Sequence, residues 1–144
     1  MSASQDNPYS AFSFRIMLNG NYVAGVSLVI GMEANAAELD DAPSGGHVKY
    51  EPIVFEGLVI GDPEFLEWMR ASTSDRPGNN LNGTDVRQLV VEQYVQDNLR
   101  ATHTIYNCWV SEYQSLPDAD PNANLVPVET VRLEHQGVHA RPAG

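Results

Sequence analysis

Lysine is almost missing from this chain: Lys49 is the only one, and the 8 basic residues face 19 aspartates and glutamates for a formal net charge of -11. A surface that grips nucleic acid or anionic lipid needs clustered basic side chains to displace counterions, so this scarcity excludes both as tightly held partners. Cysteine is equally scarce. Cys108 stands alone, which rules out an internal disulfide; in the strand-like run TIYNCWV, with no neighbouring base, it reads as a small buried apolar group rather than a nucleophile. No run approaches the roughly 20 consecutive apolar residues that span a bilayer. The opening MSASQDNPYS lacks the basic and apolar regions of a secretion signal, so the expectation is a soluble product made in the cytoplasm with no membrane partner. A glycine-rich phosphate loop, a serine nucleophile elbow, paired metal-binding cysteines and a zinc-protease helix are all lacking, and the sequence nominates no catalytic residue, metal or cofactor.

What is present is the material of one β-rich domain over residues 1–144, with 42% hydrophobic residues to build a core. Phe12, Phe14, Ile16 and Leu18 alternate with Ser13, Arg15 and Asn19, the period of a half-buried strand. Asn19-Gly20-Asn21 supplies a hairpin turn into the β-branched run YVAGVSLVIGM. Residues 33–46 are acidic and rich in small residues and predict an exposed loop, long enough to suggest a task. The chain returns as a strand through HVKYEPIVFEGLVI, where Pro52 signals an edge or a bulge. Asp62, Pro63 and Glu64 then mark a helix start. Phe65, Trp68 and Met69 form its apolar face, and a dense set of turn residues after Ser72 ends it.

Two more strands, DVRQLVVEQYV and RATHTIYNCWV, flank a turn at Gln96-Asp97-Asn98. A final strand, LVPVETVRLEHQGV, places Val126, Val128 and Thr130 on one face and Pro127, Glu129 and Val131 on the other, with residues 136–144 as a flexible tail. The sum is an α+β domain, mainly antiparallel β, arranged as two packed sheets or a small β-barrel with one helix.

Three local patterns imitate chemistry. Asp118 to Asn124 with Glu129 at the twelfth position mimics the ligand spacing of a helix-loop-helix calcium site, but Ala123 stands where the sharp turn needs glycine and the flanks read as strands. His135 and His139 have the spacing of two ligands on one helical face, but Gly137 and Pro142 argue against a helix. Asn82-Gly83-Thr84 matches a glycosylation acceptor and is most simply a turn. An interaction or structural protein is what remains, against a solitary ligand-binding barrel or a metal-dependent hydrolase built on the carboxylates and histidines.

The order of three segments adds to this reading: NPYSAFSFRIMLNGNYVAGVSLVIGM, KYEPIVFEGLVIGDPEFLEWM and NCWVSEYQSLPDADPNANLVPVETVRLEHQG. Together, from Asn7 to Gly137, they resemble the phage tail tube protein family of contractile phage tails and extracellular contractile injection systems. Asn7-Pro8-Tyr9 with Phe12 and Phe14 looks like the family's opening, and Val23-Ala24-Gly25 with Gly31 like its second strand. Lys49 to Ile53 and the Asp62 to Trp68 helix look like the central block, and Cys108-Trp109 through Tyr113 with Asn122 to Glu129 like the closing one. The chain departs from the family where Glu56-Gly57 replaces an arginine-glycine pair and where Glu38-Leu39-Asp40-Asp41 replaces a tyrosine-arginine-glutamate-glycine stretch.

The resemblance implies a non-enzymatic subunit that forms hexameric rings stacked into a hollow tube. Its partners would be further copies of itself, a surrounding sheath, baseplate and tube-terminator proteins, and cargo or DNA passing through the lumen without tight binding. Assembly would occur in the cytoplasm, before release in a virion or injection particle. A tube-initiating baseplate protein or a type VI secretion tube-like protein of the same fold is the alternative within this class. The candidates for contacts between subunits or rings are Glu33, Glu38, Leu39, Asp40, Asp41, Pro43 and His47 in the loop, with Asn7, Pro8 and Tyr9 at the opening.

Overall fold

The structure is a computed structural model and describes residues 8–32, 50–74, 86–117, 120 and 123–142. The opening hairpin joins β1 (Phe14–Leu18) to β2 (Asn21–Ile30). Its turn is Asn19-Gly20, with φ of 56° and 85°. Positive φ at both positions gives a reversal whose twist matches the strands, and Asn and Gly are the residues that tolerate it. Next come β3 (Ile53–Ile60), α1 (Pro63–Ser74), β4 (Arg87–Val95) and β5 (Asn98–Ser115), followed by β6 (Val126–Glu134) and β7 (Val138–Pro142). The sheet order is β4-β1-β2-β3-β6-β5-β7, and β4 also pairs with β5, so six strands close into an antiparallel barrel with β7 laid on β5 outside the closed ring. Of the two architectures open from sequence, the barrel is the one formed.

Side chains fill the barrel: Ile16, Val26, Phe55, Leu89, Ile105 and Val131 are fully buried. The helix begins as its sequence predicts. Asp62 Oδ1 accepts a hydrogen bond from the Glu64 amide at 3.1 Å, and Leu66 N–H donates to the Asp62 carbonyl at 3.0 Å. Phe65, Leu66, Trp68 and Met69 make the buried face, which lies mainly on β5 with a smaller contact on β3. The helix runs to Ser74, two residues past the predicted end.

Alternation along β3 and β6 slips by one residue midway. Ile53 and Phe55 point inward on β3, and so do Leu58 and Ile60; on β6 the inward residues are Val126 and Val128, then Val131 and Leu133. The slip falls at Gly57 and Glu129, between the rungs Glu56↔Thr130 and Leu58↔Val128. This corrects the sequence expectation that Val131 lies on the face opposite Val126 and Val128. The cause is Gly57 at φ 67°, a conformation that turns the following peptide and lets both strands bend with the barrel wall. A second irregularity, between Ile16 and Met17, leaves Leu18 half-buried rather than in line with Ile16.

Residues 138–142 are also a correction, because the expected flexible tail is β7. Ile105↔Val138 through Ala101↔Pro142 pair in register, and Val138 is fully buried. Between β6 and β7 the chain steps around Tyr106: Gln136 N–H donates to the Tyr106 carbonyl and Tyr106 N–H donates to the Gly137 carbonyl, both at 2.9 Å. Asn107 at φ 51° and Gly137 at φ 137° absorb the offset. One strand, β5, thus templates two successive segments along one edge. The strand expected from His47 begins only at Ile53, with Pro52 just before it; residues 47–49 lie outside the described residues.

Candidate functional site

Nothing in the described residues gathers chemistry. No group of three or more His, Cys, Asp or Glu side chains is placed to hold a metal ion among them. Cys108 is fully buried, and burial pushes its thiol up to about 12, which leaves no thiolate for nucleophilic work. Of the calcium-like pattern, Asp118, Pro121 and Asn122 lie outside the described residues; Asp120 accepts from the Ala123 amide at 3.0 Å in a turn, while Glu129 sits on β6. His135 and His139 lie on the β6–β7 edge rather than on a helix, the first buried and the second exposed. No helix among the described residues is long and apolar enough to cross a membrane.

His135 has a structural task. Its Nδ1 accepts from the Gly137 amide at 3.0 Å, which fixes the proton on Nε2, and Nε2 donates to the Glu51 carbonyl at 2.8 Å. The ring therefore ties the β6–β7 step to the segment entering β3, with Tyr50 against it at 5.4 Å. Burial lowers its pKa from 6.5, partly offset by the Glu51 carbonyl and Glu134. A histidine with a depressed folded-state pKa contributes stability that is complete above 6.5. Below that value the unfolded chain takes up a proton that the native ring resists, and the contribution is lost. The unfolding midpoint is expected to drop as pH falls from about 7 to about 5, and His135→Asn, which keeps an acceptor for Gly137, should flatten that slope. An unchanged slope in the variant would assign the acid sensitivity to other groups.

The opening segment folds back on the barrel. Tyr9 is 4% exposed, and its hydroxyl donates to the Val23 carbonyl at 3.1 Å. A side chain at Gly61 would run into that hydroxyl, and one at Gly25 would run into the Phe12 ring, so two glycines leave room for two aromatic residues. Arg15 fastens the arch from below: Nη2 donates to the Ser10 carbonyl at 2.8 Å, Nε donates to the Phe12 carbonyl at 3.2 Å, and the guanidinium lies 3.6 Å from the Tyr94 ring centroid. Beside it, the Tyr22 and Tyr94 hydroxyls both donate to Glu92 Oε1, at 2.6 and 2.9 Å. Of the contact candidates named from sequence, Pro8 is exposed and Tyr9 is engaged within its own subunit. Asn7, Glu33, Glu38, Leu39, Asp40, Asp41, Pro43 and His47 lie outside the described residues.

Two surface features were not anticipated. The first is an open groove of about 490 Å³ on the outer face of β2, β3 and β6. Gly57, Phe12, Val59 and Leu116 are among the residues that line it, as are Glu56 and Glu129, both exposed. The second is a pair of open strand edges. Among the described residues β7 pairs only with β5, and the β1–β2 ladder stops at Phe14↔Val26, so that Leu28–Ile30 have no strand on that side. Leu28 and Ile30 are 46% and 45% exposed. Sequence carried a trace of the second feature, since YVAGVSLVIGM stays apolar past the length of its hairpin partner. It carried none of the groove, which depends on Gly57 facing Glu129 across a ladder.

A family described as T4-like virus tail tube protein gp19 matches residues 10–139. No curated protein matches the chain in sequence. Among solved structures, the chain is similar to one from the sheath-tube complex of an extracellular contractile injection system, PVC, in its extended state. That match has a TM-score of 0.52 at 16% identity and covers 99% of each chain. It is also similar to a chain from the cap of the anti-feeding prophage, described as its tube-terminating cap, with a TM-score of 0.51 at 15% identity over 99% of this chain and 100% of the other.

Proposed function

The chain belongs to the T4-like tail tube protein family and is a structural subunit of a tail tube, not an enzyme; on that premise we propose that its copies join edge to edge into six-membered rings that stack around a channel. The observation that carries the ring is the pair of unlike open edges, β7 at one end of the strand order and Leu28–Ile30 of β2 beyond the reach of β1. An exposed edge is a template for pairing, and pairing between two different edges is head-to-tail, which closes into a ring when the rotation allows. The segment from Glu33 to Gly46, with His47, is assigned to contacts with the next ring, as are Asn7 and Pro8. A sheath would surround the tube, with a baseplate at one end and a cap at the other. Assembly would take place in the cytoplasm, before release of the particle. The acidic composition suits a channel wall along which DNA or acidic cargo slides without sticking.

A subunit of charge -11 repels its copies, and the range of that repulsion shrinks from about 10 Å at 0.1 M salt to about 3 Å at 1 M. Negative-stain electron microscopy and solution mass across that range are expected to show rings and hollow tubes that lengthen with salt. A monodisperse monomer at every salt and protein concentration would sink the reading.

A further inference from the structure

The β4–β5 hairpin reaches past the barrel. β1 accompanies β4 as far as Phe14↔Gln93 and Tyr94 N–H still donates to the Ser13 carbonyl at 2.7 Å, so the turn at Gln96-Asp97 begins two residues further on, which at about 3.3 Å per residue carries the tip about 7 Å clear. The tip is unusual for an acidic protein. Val95 is 43% and Leu99 40% exposed, and Arg100 beside them is exposed as well. Positive charge is the scarce resource here: of 8 basic residues, Arg15 and Arg87 lie against Tyr94 and Trp68, Arg132 is paired with Glu134, and among the described residues Arg70, Arg100 and Arg141 are exposed. Where copies with this balance meet, carboxylates repel carboxylates, and a contact that sets an exposed arginine against them is attractive.

The Gly57 groove has the complementary make-up. Gly57 contributes no side chain to its lining, Phe12, Val59 and Leu116 contribute apolar surface, and Glu56 and Glu129 contribute two carboxylates. We propose that in the assembled tube the β4–β5 tip of one copy seats in the Gly57 groove of a neighbouring copy. Val95 and Leu99 cover the apolar surface, and Arg100 sits between Glu56 and Glu129. The acidic segment from Glu33 to Gly46 is a poorer occupant, because it would bring Glu33, Glu38, Asp40 and Asp41 up to two further carboxylates. Tip and groove are different surfaces, so the contact is head-to-tail and passes from copy to copy. This assignment rests on the tube reading and adds to it the residues that would decide partner and register.

Charge exchange tests it with the full chain. Arg100→Glu, the pair Glu56→Lys with Glu129→Lys, and the three together are compared with wild type by negative-stain microscopy and sedimentation at one salt concentration, with thermal unfolding to verify folding. The first two variants are expected to lose tubes at an unchanged unfolding midpoint, and the triple variant to regain them. The double variant is informative because its net charge falls from -11 to -7, a change of two at each of two positions. Bulk repulsion alone would make it assemble better. Tubes formed normally by Arg100→Glu, or a folded triple variant without tubes, would overturn the proposal. Tubes lost only in the double variant would assign the groove to another occupant and overturn the hairpin's part. A wild-type protein that forms no tubes would count against the tube reading itself, an outcome distinct from the others.

Discussion

Trp68→Ala is expected to lower the unfolding free energy by about 3–5 kcal/mol. Trp68 is 6% exposed, its ring centre lies 5.6 Å from that of Phe65, and the Arg87 guanidinium lies 5.6 Å from its face. Truncation removes the transfer energy of an indole and leaves a void between helix and barrel that neighbouring strands, held by ladders on both sides, can fill only partly. A helix of 12 residues is marginal by itself in water, so loss of its anchor should also loosen α1. Urea unfolding followed by circular dichroism reads both effects. Glu67→Ala, on the exposed side of the same helix, should stay within about 0.5 kcal/mol of wild type. A Trp68→Ala cost below about 1 kcal/mol would mean the helix is peripheral to stability.

Gly57→Ala is expected to cost about 2–3 kcal/mol, for two separable reasons. At φ 67° an L side chain meets the following carbonyl, at about 1–2 kcal/mol. The new methyl would also lie 2.9 Å from Ser27 Oγ, a contact the exposed serine relieves only in part by turning away. Ser27→Gly in the same chain should therefore restore the steric share and leave the backbone share. If Gly57→Ala unfolds at the wild-type urea midpoint, the barrel wall bends there without needing a left-handed residue.

Elements whose signal is local were legible in the sequence. The Asn19-Gly20 turn, the Asp62-Pro63 helix start and the Phe65/Trp68/Met69 stripe were readable because each is set by residues within about one helical turn. What escaped depends on pairing. Period-2 counting puts Val131 on the wrong face because it assumes an unbroken pleat, and the break comes from Gly57 on another strand. β7 reads as a tail in sequence because five residues ending in Arg141-Pro142 carry little strand signal of their own, and they are held by a β5 long enough to template a second segment. Of the contact candidates, Tyr9 was nominated from its place in the family's opening. Its burial follows from Gly61, some fifty residues away, which a linear reading does not bring beside it.

The position of β7 also bears on when a subunit can engage its neighbours. Synthesis of these 144 residues occupies a ribosome for about 7–29 s, whereas barrels joined by pairings distant in sequence fold in roughly milliseconds to seconds. β1 cannot close on β4 until nearly two thirds of these residues have emerged, and the β7 edge is laid down after the rest of the barrel, on a β5 that is already in place. With that edge as a ring contact, a nascent chain lacks half of its means of polymerising until β7 has emerged. Adjacent ribosomes on one message would then release closed monomers instead of tangled sheets, and tube growth would be left to begin at whatever template nucleates it.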